Sequence, residues 1–160
     1  MKKYLFVLVM SCLTTTMFAQ GLGFLKNEAR VDMKLNYAEA VIAGYEESNI
    51  LTFEKDWEKD QAVLFAKMVG LYNDKLGETL PAGNFSNANY TIEVRPTVIQ
   101  KNGNIVGYFV VLDAAGTELY RSQKFSAKGG TFGTFLNLVG DGMKSTGKVI
   151  ANIVKKELKK

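Results

Sequence analysis

Tyr90-Thr91-Ile92-Glu93-Val94-Arg95-Pro96-Thr97-Val98-Ile99-Gln100 alternates apolar and polar residues, with Tyr90, Ile92, Val94 and Val98 on one side. A period of two is that of a strand with one buried face. Lys101-Asn102-Gly103 supplies a turn, and Asn104–Asp113 continues as a strand whose middle, Tyr108-Phe109-Val110-Val111-Leu112, is apolar on both faces. Ala114-Ala115-Gly116 turns the chain again, into a third strand over Thr117–Phe125. Gly129-Gly130 then ends the sheet, and Thr131–Lys160 has a helical period. A three-strand meander running into one long helix is the expected frame.

Upstream of it, Val31, Met33, Leu35 and Tyr37 alternate with Asp32, Lys34 and Asn36, the pattern of a half-buried strand. Ala38–Tyr45 continues that strand past a bend or forms a second short one. Ser48–Leu76 reads as helix. Thr52 is its expected N-cap, Glu54 and Asp56 favour the positive end of the dipole, and Gly77 and Pro81 close it. Phe53, Trp57, Leu64, Met68, Leu71 and Leu76 recur at helical spacing, which makes Trp57 a core residue. Glu78–Asn89 is a loop, and Pro96, which cannot donate to a ladder, implies an edge strand or a bulge. The expected fold class is α+β: a mainly antiparallel sheet of four or five strands with two principal helices, in the order strand, helix, β-meander, helix. It forms a single domain over residues 31–160, after a flexible lead-in at 20–30. The strand through Tyr108–Leu112 should be central; if both helices cover one face of the sheet, its other face needs a cover such as a sister subunit or partner.

The first nineteen residues have the layout of a bacterial signal peptide. Met1-Lys2-Lys3 is basic, Tyr4–Met10 apolar, and Met17-Phe18-Ala19 ends in a small residue, so cleavage is expected after Ala19. Val9-Met10-Ser11-Cys12 resembles a lipobox, which makes Cys12 a candidate for lipidation; its early place favours ordinary cleavage. On this reading the product is exported, periplasmic or associated with the outer membrane. Cys12 is the only cysteine, so the cleaved chain has no disulfide. Removing Lys2 and Lys3 lowers the net charge from +4 to +2, too mild a value to suggest nucleic acid as a partner.

The absent residue types bound the chemistry. With no histidine, and no cysteine after the signal, histidine general-base catalysis, thiol nucleophiles and ordinary zinc sites have no ligands or nucleophiles to use. No carboxylate pair stands out for a hydrolase. A non-catalytic protein without cofactor or metal is expected.

The last helix carries the candidate contacts. Phe132, Phe135, Leu136, Val139, Met143, Ile150, Ile153 and Val154 share an apolar face, opposite Asn137, Asp141, Lys144, Lys148, Asn152, Lys155 and Lys159. Gly133, Gly140 and Gly147 recur every seven residues along one border. Interior helical glycines cost about 1 kcal/mol each, so a close packing contact is expected there, internal or between copies. Lys144 and Lys148 open the alternative of peripheral contact with an anionic membrane surface. Phe109 and Val111 are candidate interaction residues on the two-sided strand. Gly129, Gly130 and Thr131 are a candidate anion site at the helix start, although they match no nucleotide-binding motif.

The runs Val111-Leu112-Asp113-Ala114-Ala115-Gly116-Thr117-Glu118-Leu119, Gly130-Thr131-Phe132-Gly133, Asn137-Leu138, Gly140-Asp141-Gly142 and Thr146-Gly147 resemble a family of small exported Gram-negative envelope proteins with no assigned activity. The resemblance covers Leu35 to Lys160 and brings no catalytic residues. The element order is similar to the lipoprotein activators of penicillin-binding proteins and to the periplasmic domain of the curli-secretion lipoprotein. Together these imply an envelope protein that binds another protein or itself. A small-ligand or envelope-polymer binder is the alternative, and a carboxylate-based hydrolase the remote one.

Overall fold

The computed structural model describes residues 21–160; the signal segment and Cys12 lie outside them. The fold is α+β, and the sheet contains eight strand segments rather than four or five. They are β1 (Val31–Leu35), β2 (Val41–Ile42), β3 (Tyr45–Glu46), β4 (Ala82–Gly83), β5 (Tyr90–Ile99), β6 (Ile105–Asp113), β7 (Glu118–Arg121) and β8 (Phe125–Ala127). The count rises because two strand paths are interrupted. β1 and β2 both pair parallel with β5, along its two halves, and β7 and β8 both pair antiparallel with β6. β5 and β6 are the antiparallel centre; β4 and β3 add short edges beside β1 and β2.

Pro96 marks a bulge, not an edge. The register of β5 against β6 shifts between Pro96 and Val98. One extra residue reverses every later side chain. Ile99 therefore enters the core at 0% exposure, and Val98, expected inside with Ile92 and Val94, is 36% exposed.

Helix α1 (Trp57–Leu76) begins later than expected. A 3-10 segment, Glu47–Thr52, precedes it, and the Thr52 hydroxyl donates to the Asn49 carbonyl at 2.8 Å, so Thr52 caps this turn and not α1. Trp57, Leu64, Met68, Tyr72 and Leu76 are buried, each contributing about 1.5–3 kcal/mol of apolar burial. Helix α2 (Phe135–Leu158) also starts later, with Thr134 as N-cap, so Phe132 and Gly133 lie outside it. Phe132, expected on the apolar face, is 87% exposed. The lead-in is partly fixed: Leu22 and Leu25 are fully buried in a 3-10 turn that packs on α2.

α1 and α2 lie side by side on one face of the sheet, running the same way. Phe135 packs near Trp57, and Gly147 lies against Met68 and Tyr72. Gly147 allows this approach, because a Cβ there would overlap the Met68 carbonyl oxygen. Gly142 does the same against the Gly103 carbonyl of the β5–β6 turn, where Gly103 itself needs its positive φ of 79°. Gly70 of α1 faces open space. Gly147→Ala should therefore lower stability by about 1–3 kcal/mol, and Gly70→Ala should raise it by about 0.5–1 kcal/mol, read as opposite shifts of the urea midpoint at constant m.

Candidate functional site

The two faces of β6 differ. Phe109 and Val111 point into the helix-covered core at 0% exposure and present no surface for a partner. On the opposite face Val110, also 0% exposed, lies between its register partners Glu93 and Arg121. Those long side chains cover it with their stems and hold charge outward. Glu93 accepts from Arg95 Nε at 2.6 Å and from Asn36 Nδ2 at 3.3 Å. Arg121 forks onto both oxygens of Glu118 at 2.8 Å and lies 4.8 Å above the Tyr108 ring, whose hydroxyl donates to Glu39 at 3.1 Å. Val110 and Tyr108 are thus covered from within the chain, while Val98 and Val41, in register with Val106 farther along this face, stay 36% and 43% exposed.

The other sequence-predicted residues are dispersed. Gly140 lies under the Lys67 side chain and Gly147 under the α1 backbone, while Gly133 precedes α2, so the seven-residue strip is not one surface. Lys144 pairs with Asp141 at 3.0 Å, and Lys148 is exposed. The expected anion site precedes the helix terminus, and two of its three N–H groups are used within the chain. Gly129 N–H donates to Asn104 Oδ1 at 2.8 Å and Gly130 N–H to the Leu138 carbonyl at 3.0 Å. Thr131 instead lines a cleft of about 580 Å³ with Gln100, Asn102, Asn104, Ser126 and Lys128.

What the fold does bring together is a string of aromatic rings leading from core to surface. Tyr37 meets Trp57 edge-on at 5.2 Å, Trp57 lies 6.4 Å from Phe135, Phe135 meets Phe53 edge-on at 5.1 Å, and Phe53 stacks on Tyr45 at 5.6 Å. Tyr37 and Trp57 are buried, whereas Phe53 and Tyr45 are 37% and 38% exposed. Leu51 is 43% exposed in the 3-10 segment leading to Phe53, Phe132 stands three residues before Phe135, and Lys101 Nζ lies 5.9 Å from the Phe53 ring centre. The rings come from the turn after β1 (Tyr37), β3 (Tyr45), the residue closing the 3-10 segment (Phe53) and the starts of both helices (Trp57, Phe135). No single period joins them in sequence, which is why the periodic reading did not find them.

No group of three or more metal-ligating side chains occurs among the described residues. No described helix is long and apolar enough to cross a membrane. No family model and no curated protein matches the chain. Among solved structures it is similar to a PelC dodecamer from Paraburkholderia phytofirmans, with a TM-score of 0.44 and 7% identity over 81% of this chain and 92% of that one. A variant PelC dodecamer from the same organism gives 0.43 and 12%, over 84% and 93% of the two chains. Protein XCC0632 from Xanthomonas campestris, of family DUF330, gives 0.41 and 6%, over 83% and 91%. Similarity at this level assigns neither a family nor an activity.

The inner end of the aromatic string has a pH signature. Tyr37 Oη and Trp57 Nε1 there, and Tyr72 Oη farther along α1, are buried without a hydrogen-bond partner among the described residues. Burial holds the Tyr37 and Tyr72 hydroxyls protonated above the ordinary value of 10.0, and the Glu47 carboxylate adds to the effect at Tyr37. A raised folded-state value means stability is fully present below pH 10 and lost as pH rises beyond it, by up to about 1.4 kcal/mol per pH unit for each group. Tyr72→Phe should flatten that alkaline loss in denaturation midpoints measured from pH 8 upward.

Proposed function

We propose that this chain is a non-catalytic, exported envelope protein that works by binding another protein or a second copy of itself. The observation that carries this reading is the exposed aromatic end: Tyr45 and Phe53 are exposed rings stacked on one another, with Leu51 exposed beside them in sequence and Phe132 exposed just before α2, whereas the other exposed large apolar residues, Val41, Val63 and Val98, are valines. Exposed aromatics that continue a rigid, buried stack resemble the anchors of protein interfaces, being large, apolar and already ordered. Export rests on the basic, apolar and small-residue layout of the first nineteen residues. The absence of histidine in the sequence supports a non-catalytic role. So do Asp32, Glu93 and Glu118, each of which accepts a hydrogen bond from another group of the chain.

A second reading, a small-ligand or envelope-polymer binder, is favoured by the cleft beside the β5–β6 turn. Its amides, hydroxyls and Lys128 suit a polar or anionic ligand such as a glycan. Thermal-shift screening against anions and glycans would sink this reading if nothing raised the melting temperature.

For the favoured reading the test is in-cell cross-linking and capture of the tagged protein, beside a Phe53→Ser/Phe132→Ser variant. The wild type should retain a partner or a second copy at near-stoichiometric yield. The variant should lose it by about tenfold or more while keeping the same circular dichroism spectrum. Equal capture by both proteins, or capture of nothing by the wild type, refutes the role given to the aromatic end.

A further inference from the structure

The aromatic end is also an acidic end. Glu46, Glu47, Glu54, Asp56, Glu58 and Asp60 surround the 3-10 segment and the start of α1, against Lys55, Lys59 and the neighbouring Lys101. None of the six carboxylates is in an ion pair among the described residues. α2 starts at this end and carries its 24 residues about 36 Å away. At its far end Lys155, Lys156 and Lys159 are exposed and in no ion pair among the described residues, and Glu157 is held by Lys160 at 2.6 Å. The adjoining end of α1 adds Lys75 between Asp74 and Glu78, which leaves the lysine excess standing. Each molecule thus carries complementary, unsatisfied charge at opposite ends of one rigid helix, and the acidic end surrounds exposed rings that take a lysine as Phe53 takes Lys101.

Resting on the interaction reading above, we propose that the occupant of the aromatic end is a second copy of this chain, seated through the lysine-rich end of its α2. An anionic bilayer suits this end poorly, because the six carboxylates beside the rings would repel it. The contact is heterologous, head to tail: acidic and aromatic surface on one copy, lysines on the next. Such a contact leaves one unused head and one unused tail on every pair. Assembly therefore continues into a ring or a filament and does not stop at a two-fold dimer.

The test is analytical ultracentrifugation of the purified chain over a concentration series. Wild type should associate reversibly beyond the dimer at low salt. It should return to monomer at about 1 M salt, where the screening length falls to about 3 Å. A head variant (Glu46→Gln/Asp56→Asn/Glu58→Gln) and a tail variant (Lys155→Gln/Lys156→Gln/Lys159→Gln) should each weaken association about tenfold or more. Mixed, they should form a discrete one-to-one pair, since only one good head and one good tail remain. The proposal is overturned if the wild type stays monomeric at low salt, if either variant assembles as the wild type does, or if each variant still forms a dimer alone. Should the wild type stay monomeric while Phe53→Ser/Phe132→Ser still abolishes capture of a different protein, the head-to-tail contact is wrong and the broader interaction reading stands.

Discussion

The structure depends on the approach of two helical backbones, where Gly147 of α2 lies against Met68 of α1. With the helices this close and running in one direction, they form a single layer over one face of the sheet. β1 and β5 can then pair in parallel across the α1 crossover, and β6 follows β5 by a tight turn. Gly142 and Gly103 repeat the device at the other end of the contact, seating α2 on the β5–β6 turn. A side chain at either point would separate layers that have no disulfide to hold them, Cys12 being the only cysteine.

Covering one face with helices leaves the other to the sheet itself. There the chain uses arginine and glutamate stems over Val110 and a hydroxyl–carboxylate bond from Tyr108 to Glu39. A partly exposed layer of this kind stabilises modestly through its ion pairs and more through the apolar stems. Besides the exposed valines Val41, Val63 and Val98, exposed apolar side chains gather at the end of the molecule where both helices begin. Tyr45 and Phe53 stand there, continuous with rings that reach Tyr37 in the core, and Phe132 is exposed just before α2.

Much of the fold was legible in local pattern, because strand alternation and helical spacing are set by which residues leave water. β1, the meander and both helices follow that logic, as does Trp57 in the core. The candidate site was much less legible. Phe109 and Val111 satisfy the pattern of a two-sided strand, yet which face would be covered by helices and which by arginines is a property of neighbours remote in sequence. The seven-residue spacing of Gly133, Gly140 and Gly147 suggested one surface, but Gly133 lies outside the helix and Gly142, which breaks the spacing, makes one of the closest contacts.

By itself, then, the sequence determined the α+β class, the absence of histidine and thiol chemistry from the chain after its signal-like start, and the lysine-rich outer face of the last helix. Those properties are compositional or periodic, and each residue carries its share locally. Only the tertiary structure decided that β1 joins the sheet in parallel, that the Pro96 bulge turns Val98 outward, and that rings from separate segments of the chain join in one string. Those depend on where the α1–α2 contact places elements far apart in the chain, and no local spacing encodes that.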